Sequence, residues 1–325
     1  MNSFGRIFKV SIFGESHGNT VGILIDGVKP GISLSPEDFY YDLARRKAGK
    51  VGTTTRMESD MPLIETGVFN GYTTGAPLLI RFLNENTRSN DYSNLVTTPR
   101  PGHADYTAKV KYNGFNDYRG GGAFSGRLTL GLVAAGVVAK KMLGATVSAT
   151  IESVHQNPNI DEEIEKACLN NDSVGGVVKL RVTGIKPGLG EPFFDSVESV
   201  LSHLIFSVGG VKGIEFGAGF KGEAMYGSEF NDCIIDEFGH TATNHNGGIN
   251  GGITNGNDIV IRVFVKPTPS ISKPQLTYNF VKKEVEELII KGRHDKAIIL
   301  RIAPVLEAVV AIGLTDLMLI DKTNK

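Results

Sequence analysis

Forty of the 325 residues are glycine, well above the roughly 7% of an average protein, and they are clustered. They gather at GESHG (14–18), GGG (120–122), GGVKG (209–213), GAGF (217–220) and NGGINGGITNG (246–256). No three-residue period runs through them, so collagen-like and low-complexity chains are excluded. Glycine admits positive φ and lets a backbone come close to a ligand. Successive N–H groups in such turns make concavities that hold anions. Taken singly, each cluster is more simply a tight turn in a strand-rich protein, because short glycine patterns are weak signals.

The charge balance narrows the class. With 34 Lys+Arg against 35 Asp+Glu the formal net charge is −1, which argues against phosphate neutralisation on nucleic acid as the main activity. No apolar run is expected to reach the roughly 20 residues that span a bilayer. The start, MNSFGRIFKVSIFGESHG, lacks the apolar stretch and small-residue cleavage site of a signal peptide. Cys168 and Cys233 are far apart and form no CxxC pair, so the cytoplasm is the expected compartment. Length alone allows one or two domains. Without a Pro/Ser-rich linker or a fixed-period repeat, residues 1–325 are taken as a single domain.

Residues 5–14 and 21–27 read as strands joined by GESHGNT. A helix begins at Ser35-Pro36-Glu37-Asp38, where a cap, an N1 proline and early acids stand in order. Phe39, Tyr40 and Leu43 are expected on its apolar face, and Arg45-Arg46-Lys47 in its last turn. Residues 127–144, RLTLGLVAAGVVAKKMLG, are apolar nearly all round, which predicts a buried helix. Residues 74–83, 146–154, 175–184 and 257–266 read as strands. Asp195 with Glu198 is expected to open a helix, and 280–291 and 304–316 to close the chain as helices. There is no βαβα rhythm, no GxGxxG after a strand and no GxxxxGK[ST]. An α+β fold is therefore expected, not a Rossmann or P-loop domain.

Histidine is scarce, seven in all. His17 lies in Gly14-Glu15-Ser16-His17-Gly18 and His103 in Arg100-Pro101-Gly102-His103-Ala104-Asp105. Both sit in loops, where catalytic side chains concentrate, and imidazole is suited to proton transfer near neutral pH. A lone loop histidine is as often a solvated structural residue. Neither has HExxH or CxH spacing for a metal. Arg46, Arg100, Arg119, Arg127 and Arg293 lie beside glycine-containing loops or helix ends. Between Arg119 and Arg127 a glycine triplet, Ser125 and two guanidinium groups meet at the start of the buried helix, a favourable anion site. Arginine's planar fork suits phosphate and carboxylate. Together these residues favour a small polyanion as ligand. The 291–295 cluster, with Arg293 and Asp295, is a helix end and turn when read in isolation, and the Lys266–Ser270 loop is a phosphate seat or only a turn.

GESHG at 14–18, RPGHADYT at 100–107, YRGGG…S.R at 118–127, VKGIEFG.GF at 211–220, GGI.GGI at 247–253, KPT.S at 266–270 and GRHD at 292–295 resemble, in order and spacing, the chorismate synthase family. The similarity runs from about residue 5 to about residue 315. It implies a β-α-β sandwich with mixed, largely antiparallel sheets, assembling as a homotetramer. It implies a carbon–oxygen lyase of aromatic amino-acid biosynthesis, at the last step of the shikimate pathway. The reaction is an anti-1,4-elimination of phosphate from 5-enolpyruvylshikimate-3-phosphate, giving chorismate and dependent on reduced FMN (FMNH2). NADPH is implied only if the protein reduces its own flavin.

By this resemblance His17 corresponds to the histidine that protonates the leaving phosphate and His103 to the one that manages flavin protonation. Asp295 corresponds to the aspartate that assists proton removal. Arg46 and Arg127 correspond to substrate or anion contacts. Cofactor contacts fall on Ala123, Phe124, Ser125, Gly209, Gly210, Gly251, Lys266, Pro267, Thr268, Pro269, Ser270 and Arg293. The chain departs from the pattern at Ala123 and Phe124, where the family usually carries a polar group and a serine. It departs again at Val51-Gly52-Thr53-Thr54, where an arginine usually precedes the threonines, and at Ser207–Gly213. It is also short for the family. The alternative is a flavin- or anion-binding homologue without turnover. A different phosphate-ester lyase or phosphotransferase would call for a Walker or metal–carboxylate pattern that the sequence lacks.

Overall fold

The alternating apolar segments pair into two antiparallel sheets, and two long apolar helices fill the space between them. The structure is a computed structural model and describes residues 2–87, 94–290, 292 and 294–324. Strands β1 (Ser3–Phe4), β2 (Lys9–Gly14) and β3 (Thr20–Asp26) come first, then helix α1 (Tyr40–Arg46). They are followed by β4 (Leu63–Thr66), the small hairpin β5 (Val68–Phe69) and β6 (Tyr72–Thr73), and β7 (Leu78–Leu83). Next come α2 (Asp105–Lys111), α3 (Thr129–Leu143), β8 (Thr146–Val154), α4 (Ile160–Leu169) and β9 (Gly176–Thr183). After α5 (Val197–Ser207) lie β10 (Val211–Phe216), α6 (Gly227–Phe230), β11 (Ile249–Asn250), β12 (Ile253–Thr254) and β13 (Ile259–Val265). The hairpin β14 (Gln275–Asn279) and β15 (Glu284–Leu288) precedes the long α7 (Ile299–Asn324).

The first sheet has the order β1-β2-β3-β7-β4 and the second β10-β13-β9-β8. In β3, Val21, Ile23 and Ile25 are fully buried while Leu24 is exposed, the alternation of a sheet with one dry face. β9 and β13 alternate in the same way and pair from Gly176↔Val265 to Val182↔Ile259. Helix α3 lies on the first sheet and α7 on the second, with the two helices against each other. This is the expected β-α-β sandwich. Its thinness at the centre depends on Gly136: a β-carbon there would stand 2.3 Å from that of Ala308. α3 and α7 can therefore cross only where the side chain is a hydrogen.

Helix α3 is buried almost all round, from Leu130 to Leu143, as its composition predicts. At residue 35 the serine caps the first turn, and Asp38 accepts a hydrogen bond from its backbone N–H at 2.8 Å. Four expectations need correction. Tyr40 is exposed although Phe39 and Leu43 are buried, because the helix meets the core through a narrower face. The cap of α5 is Ser196, whose hydroxyl accepts from the Ser199 N–H, while Asp195 pairs with Arg6 at 2.7 Å.

Of the helix expected over 280–291, the described residues 280–290 are not helical. Asn279 accepts hydrogen bonds from the N–H groups of Val281 and Lys282, closing the turn of the β14–β15 hairpin. Its charged residues suggested helix, but Leu288 and Ile290 pack with Leu95 in a small separate core, and that tertiary contact selects the strand. Finally, Ile299–Thr323 is long and apolar enough to span a membrane, but 94% of its apolar window is buried inside the protein. It is the core helix of the second layer. Both cysteines are free, Cys168 half-buried and Cys233 exposed.

Candidate active site

Both histidine loops meet on the glycine triplet. The turn after β2 donates the Ser16 N–H to the Gly122 carbonyl at 3.1 Å. Gly120, Gly121 and Gly122 have φ of 58°, 83° and 52°, a left-handed run that side chains rarely tolerate. A β-carbon on Gly120 would lie 2.4 Å from His17 Cε1, so the imidazole rests directly on backbone there. One on Gly121 would lie 3.5 Å from both Cε1 and Nε2 of His103. Adjacent glycines thus touch one histidine each.

His103 is held from its other side. Its Nδ1 is 2.6 Å from Asp105 Oδ1. Arg100 clamps the same carboxylate, with Nη2 to Oδ1 at 2.7 Å and Nε to Oδ2 at 2.7 Å. Burial would raise the Asp105 carboxyl, but hydrogen bonds from Arg100 and His103 hold it well below the usual carboxylate range. Burial pushes the His103 imidazole down, the Asp105 hydrogen bond opposes this, and the charges of Arg100 and Lys266 add to the depression. The balance is downward and favours the neutral imidazole.

Beyond these loops opens a cleft of about 790 Å³ at one end of the sandwich. The first turns of α3 and α7 both face it through Leu128, Thr129, Ile298 and Arg301. Helix N-termini favour anions. Among the described lining residues, seven cationic side chains stand against two carboxylates, Glu58 and Asp295. That excess is local, in a chain of net charge −1. Arg46 is fully buried, donating to Thr129 Oγ1 at 2.9 Å and the Gly126 carbonyl at 2.6 Å. Burial and the neighbouring Arg301 pull its pKa down to about 9. Arg127 spends its donors on Asp60, Asn84 Oδ1 and the Leu83 carbonyl.

Asp295 lines the cleft, contacting Arg301 Nη1 at 2.8 Å and accepting from the Thr54 N–H at 2.9 Å. Lys266 donates to the Gly102 carbonyl at 2.6 Å, which ties the 266–270 loop to the His103 loop. In that loop the buried Thr268 Oγ1 has no hydrogen-bond partner. A buried polar atom left unmatched is costly unless something completes it.

Ala123, Phe124, Ser125, Gly209, Gly210 and all of Lys266–Ser270 line the same cleft. His17 adjoins it through Ser16 and Gly120. Gly251 does not; it sits exposed in the β11–β12 turn. Arg293 lies outside the described residues. Arg119 turns away to Asp117 at 2.8 Å. Gly52, at a departure from the family pattern, packs against Ile164 and Ala297 and is not a cleft residue.

Sequence reasoning missed Arg56, Lys212, Ser16 and Asp105 as site residues. Arg56 donates to Ser16 Oγ at 3.1 Å and pairs with Glu58 at 2.7 Å. It lies in a stretch without regular structure, where periodicity carries no signal. Asp105 had one available signal, its place two residues after a candidate histidine.

A sandwich with a cationic cleft, two helix N-termini and two imidazoles on one backbone triplet defines an enzyme that acts on a small polyanion and moves protons. Known proteins specify it further. The family model described as chorismate synthase matches residues 8–319. A chorismate synthase of Chitinophaga pinensis is 58% identical over 326 residues, covering 100% of this chain and 98% of its own. One of Thermococcus gammatolerans is 44% identical over 344 residues, covering 97% of each. A solved structure described as a crystal structure of chorismate synthase superposes with a TM-score of 0.74 at 25% identity, covering 98% of this chain and 93% of that one. The chain belongs to the chorismate synthase family, the carbon–oxygen lyases that release phosphate in aromatic amino-acid biosynthesis. Its shortness is shared with the Chitinophaga relative, which it matches almost end to end.

Proposed function

We propose that the cleft converts 5-enolpyruvylshikimate-3-phosphate to chorismate and phosphate, with His17 and His103 handling protons and Asp295 assisting proton removal. The observation that carries this is the glycine triplet, which puts both imidazoles against a cleft where cations outnumber carboxylates. Arg46, Arg56, Arg301 and the two helix N-termini supply the positive field for a substrate bearing two carboxylates and a phosphate. Arg127 acts mainly as scaffold, since its donors are taken by Asp60, Asn84 and Leu83.

The residues also fit a reduced flavin mononucleotide. The unmatched Thr268 hydroxyl and Lys266 suit a phosphate or a polar ring edge, and Phe124, Leu132 and Val208 give the cleft an apolar wall. When bound, that group would supply transient electron donation to a reaction without net redox change. Ala123, Ser125, Gly209, Gly210, Pro267, Pro269 and Ser270 complete the candidate contacts, with Gly251 and Arg293 assigned by family resemblance alone. A homotetramer is supported by exposed Phe193, Phe194, Phe220 and Phe238, apolar surface of the kind that subunits cover.

The test is anaerobic: protein, reduced FMN and the substrate are mixed, and chorismate absorbance and phosphate release are followed together. One-to-one appearance is expected. Flavin binding without either product would support the inactive homologue instead. His17→Ala and His103→Ala should each lower turnover far more than they weaken flavin binding.

A further inference from the structure

Asp105 and Arg100 are charged, their side chains are buried, and both touch His103 without a step of their own in the proposed reaction. They compete for one atom. Arg100 Nη2 is 3.0 Å from His103 Nδ1, close enough to donate to it, which would place the imidazole proton on Nε2. Asp105 Oδ1 is 2.6 Å from the same Nδ1 and can only accept, which places the proton on Nδ1. The shorter contact decides: at 2.6 Å a carboxylate oxygen and a bare imidazole nitrogen would repel, so a proton on Nδ1 lies between them, while Arg100 Nη2 keeps its bond to Asp105 Oδ1 at 2.7 Å. Arg100 also donates from Nη1 to Ser270 Oγ at 3.0 Å and from its backbone N–H to Asp105 Oδ2 at 3.1 Å, so the clamp is fixed at several points.

We infer that Asp105 is a positioning residue. It holds His103 as the neutral tautomer protonated on Nδ1, so that Nε2, on the ring edge against Gly121, meets the cleft as an acceptor. Arg100 keeps the Asp105 carboxylate charged and oriented. A tautomer fixed in this way decides the direction of transfer: His103 first accepts a proton or hydrogen bond from a bound group at Nε2. The imidazolium so formed is stabilised by Asp105 and returns the proton from the same nitrogen. The charged groups facing the ring are Asp105 and Arg100 from its own segment and Lys266 from the loop after β13. The inference rests on His103 being a proton-handling residue of this site.

The experiment uses the full chain labelled with 15N-histidine, the His103 signals being assigned by their loss in His103→Gln. In the wild type at pH 7, Nδ1 should give the signal of a protonated nitrogen and Nε2 that of a bare one. In Asp105→Asn the charge that outbids Arg100 is gone, and the proton should shift to Nε2, wholly or in part. Turnover of Asp105→Asn should fall by at least about tenfold with little change in substrate KM, and Asp105→Glu should recover part of it. Thermal unfolding of each variant separates a folding defect from a change of tautomer. A wild-type Nε2 proton, or an unchanged tautomer in Asp105→Asn, overturns the inference even if His103→Gln abolishes turnover. Full turnover in His103→Gln would instead overturn the role of His103 itself.

Discussion

At the scale of single residues, the site is built from groups whose protonation is set by burial and by one close partner. His103 shows the sign of the effect. Unfolded, its imidazole takes up a proton near pH 6.5; folded, burial and the nearby cations delay that uptake to lower pH. The unfolded state therefore binds more protons as the pH falls below about 6.5, and stability drops there. The unfolding midpoint is expected to fall between about pH 7 and pH 5, and to fall less steeply in His103→Gln. An identical slope in both would mean that His103 titrates normally. Gly120 makes a second residue-scale prediction. Gly120→Ala places a methyl group against His17 on a backbone already at φ 58°. Turnover should drop sharply while the fold remains, as judged by an unchanged circular dichroism spectrum.

At the scale of elements, the sandwich depends on how closely two apolar helices approach. Gly136 on α3 meets Ala308 on α7, and Gly131 meets the backbone of β3. Overpacking a dense interior costs about 1–3 kcal/mol, so Gly136→Leu should lower stability by at least that much in denaturant titration. An effect below about 0.5 kcal/mol would show that α3 and α7 can separate freely. Several strands and one long helix were legible in the sequence because their periodicity is local: β8, β9, β13 and α3 stand close to where alternation and apolar runs put them, whereas α7 was read only over 304–316 of its Ile299–Asn324. The β14–β15 hairpin was not legible, because VKKEVEELII carries charges suited to a helix and only contacts with the distant 95–106 segment hold it as a strand pair. The cap of α5 was misplaced by one residue for a related reason, since Asp195 is drawn to Arg6, distant in sequence.

At the scale of the whole molecule, a chain of net charge −1 concentrates cations at one end of the sandwich. Attraction of a multiply charged substrate to that end is screened by salt. Substrate KM should rise with ionic strength between about 0.01 and 0.15 M while kcat changes little. A KM indifferent to salt would show that the field of the cleft plays no part in capture. Arg46 contributes from a fully buried position, so Arg46→Met should raise KM with a smaller change in the salt response than Arg56→Met, whose guanidinium is half-buried.

The motif-bearing loops, the buried character of α3 and the α+β class were determined by the sequence alone, because each depends on residues adjacent in the chain. The family, too, was readable from motif order. Tertiary structure decided the rest. It brought Gly120 to His17 and Gly121 to His103, put Arg56 on Ser16 and left Gly52 outside the cleft. It also kept α7, apolar enough for a membrane, inside the protein. These outcomes depend on contacts between segments tens to hundreds of residues apart, and the physics that selects them is burial and charge pairing in three dimensions, which has no local period to read.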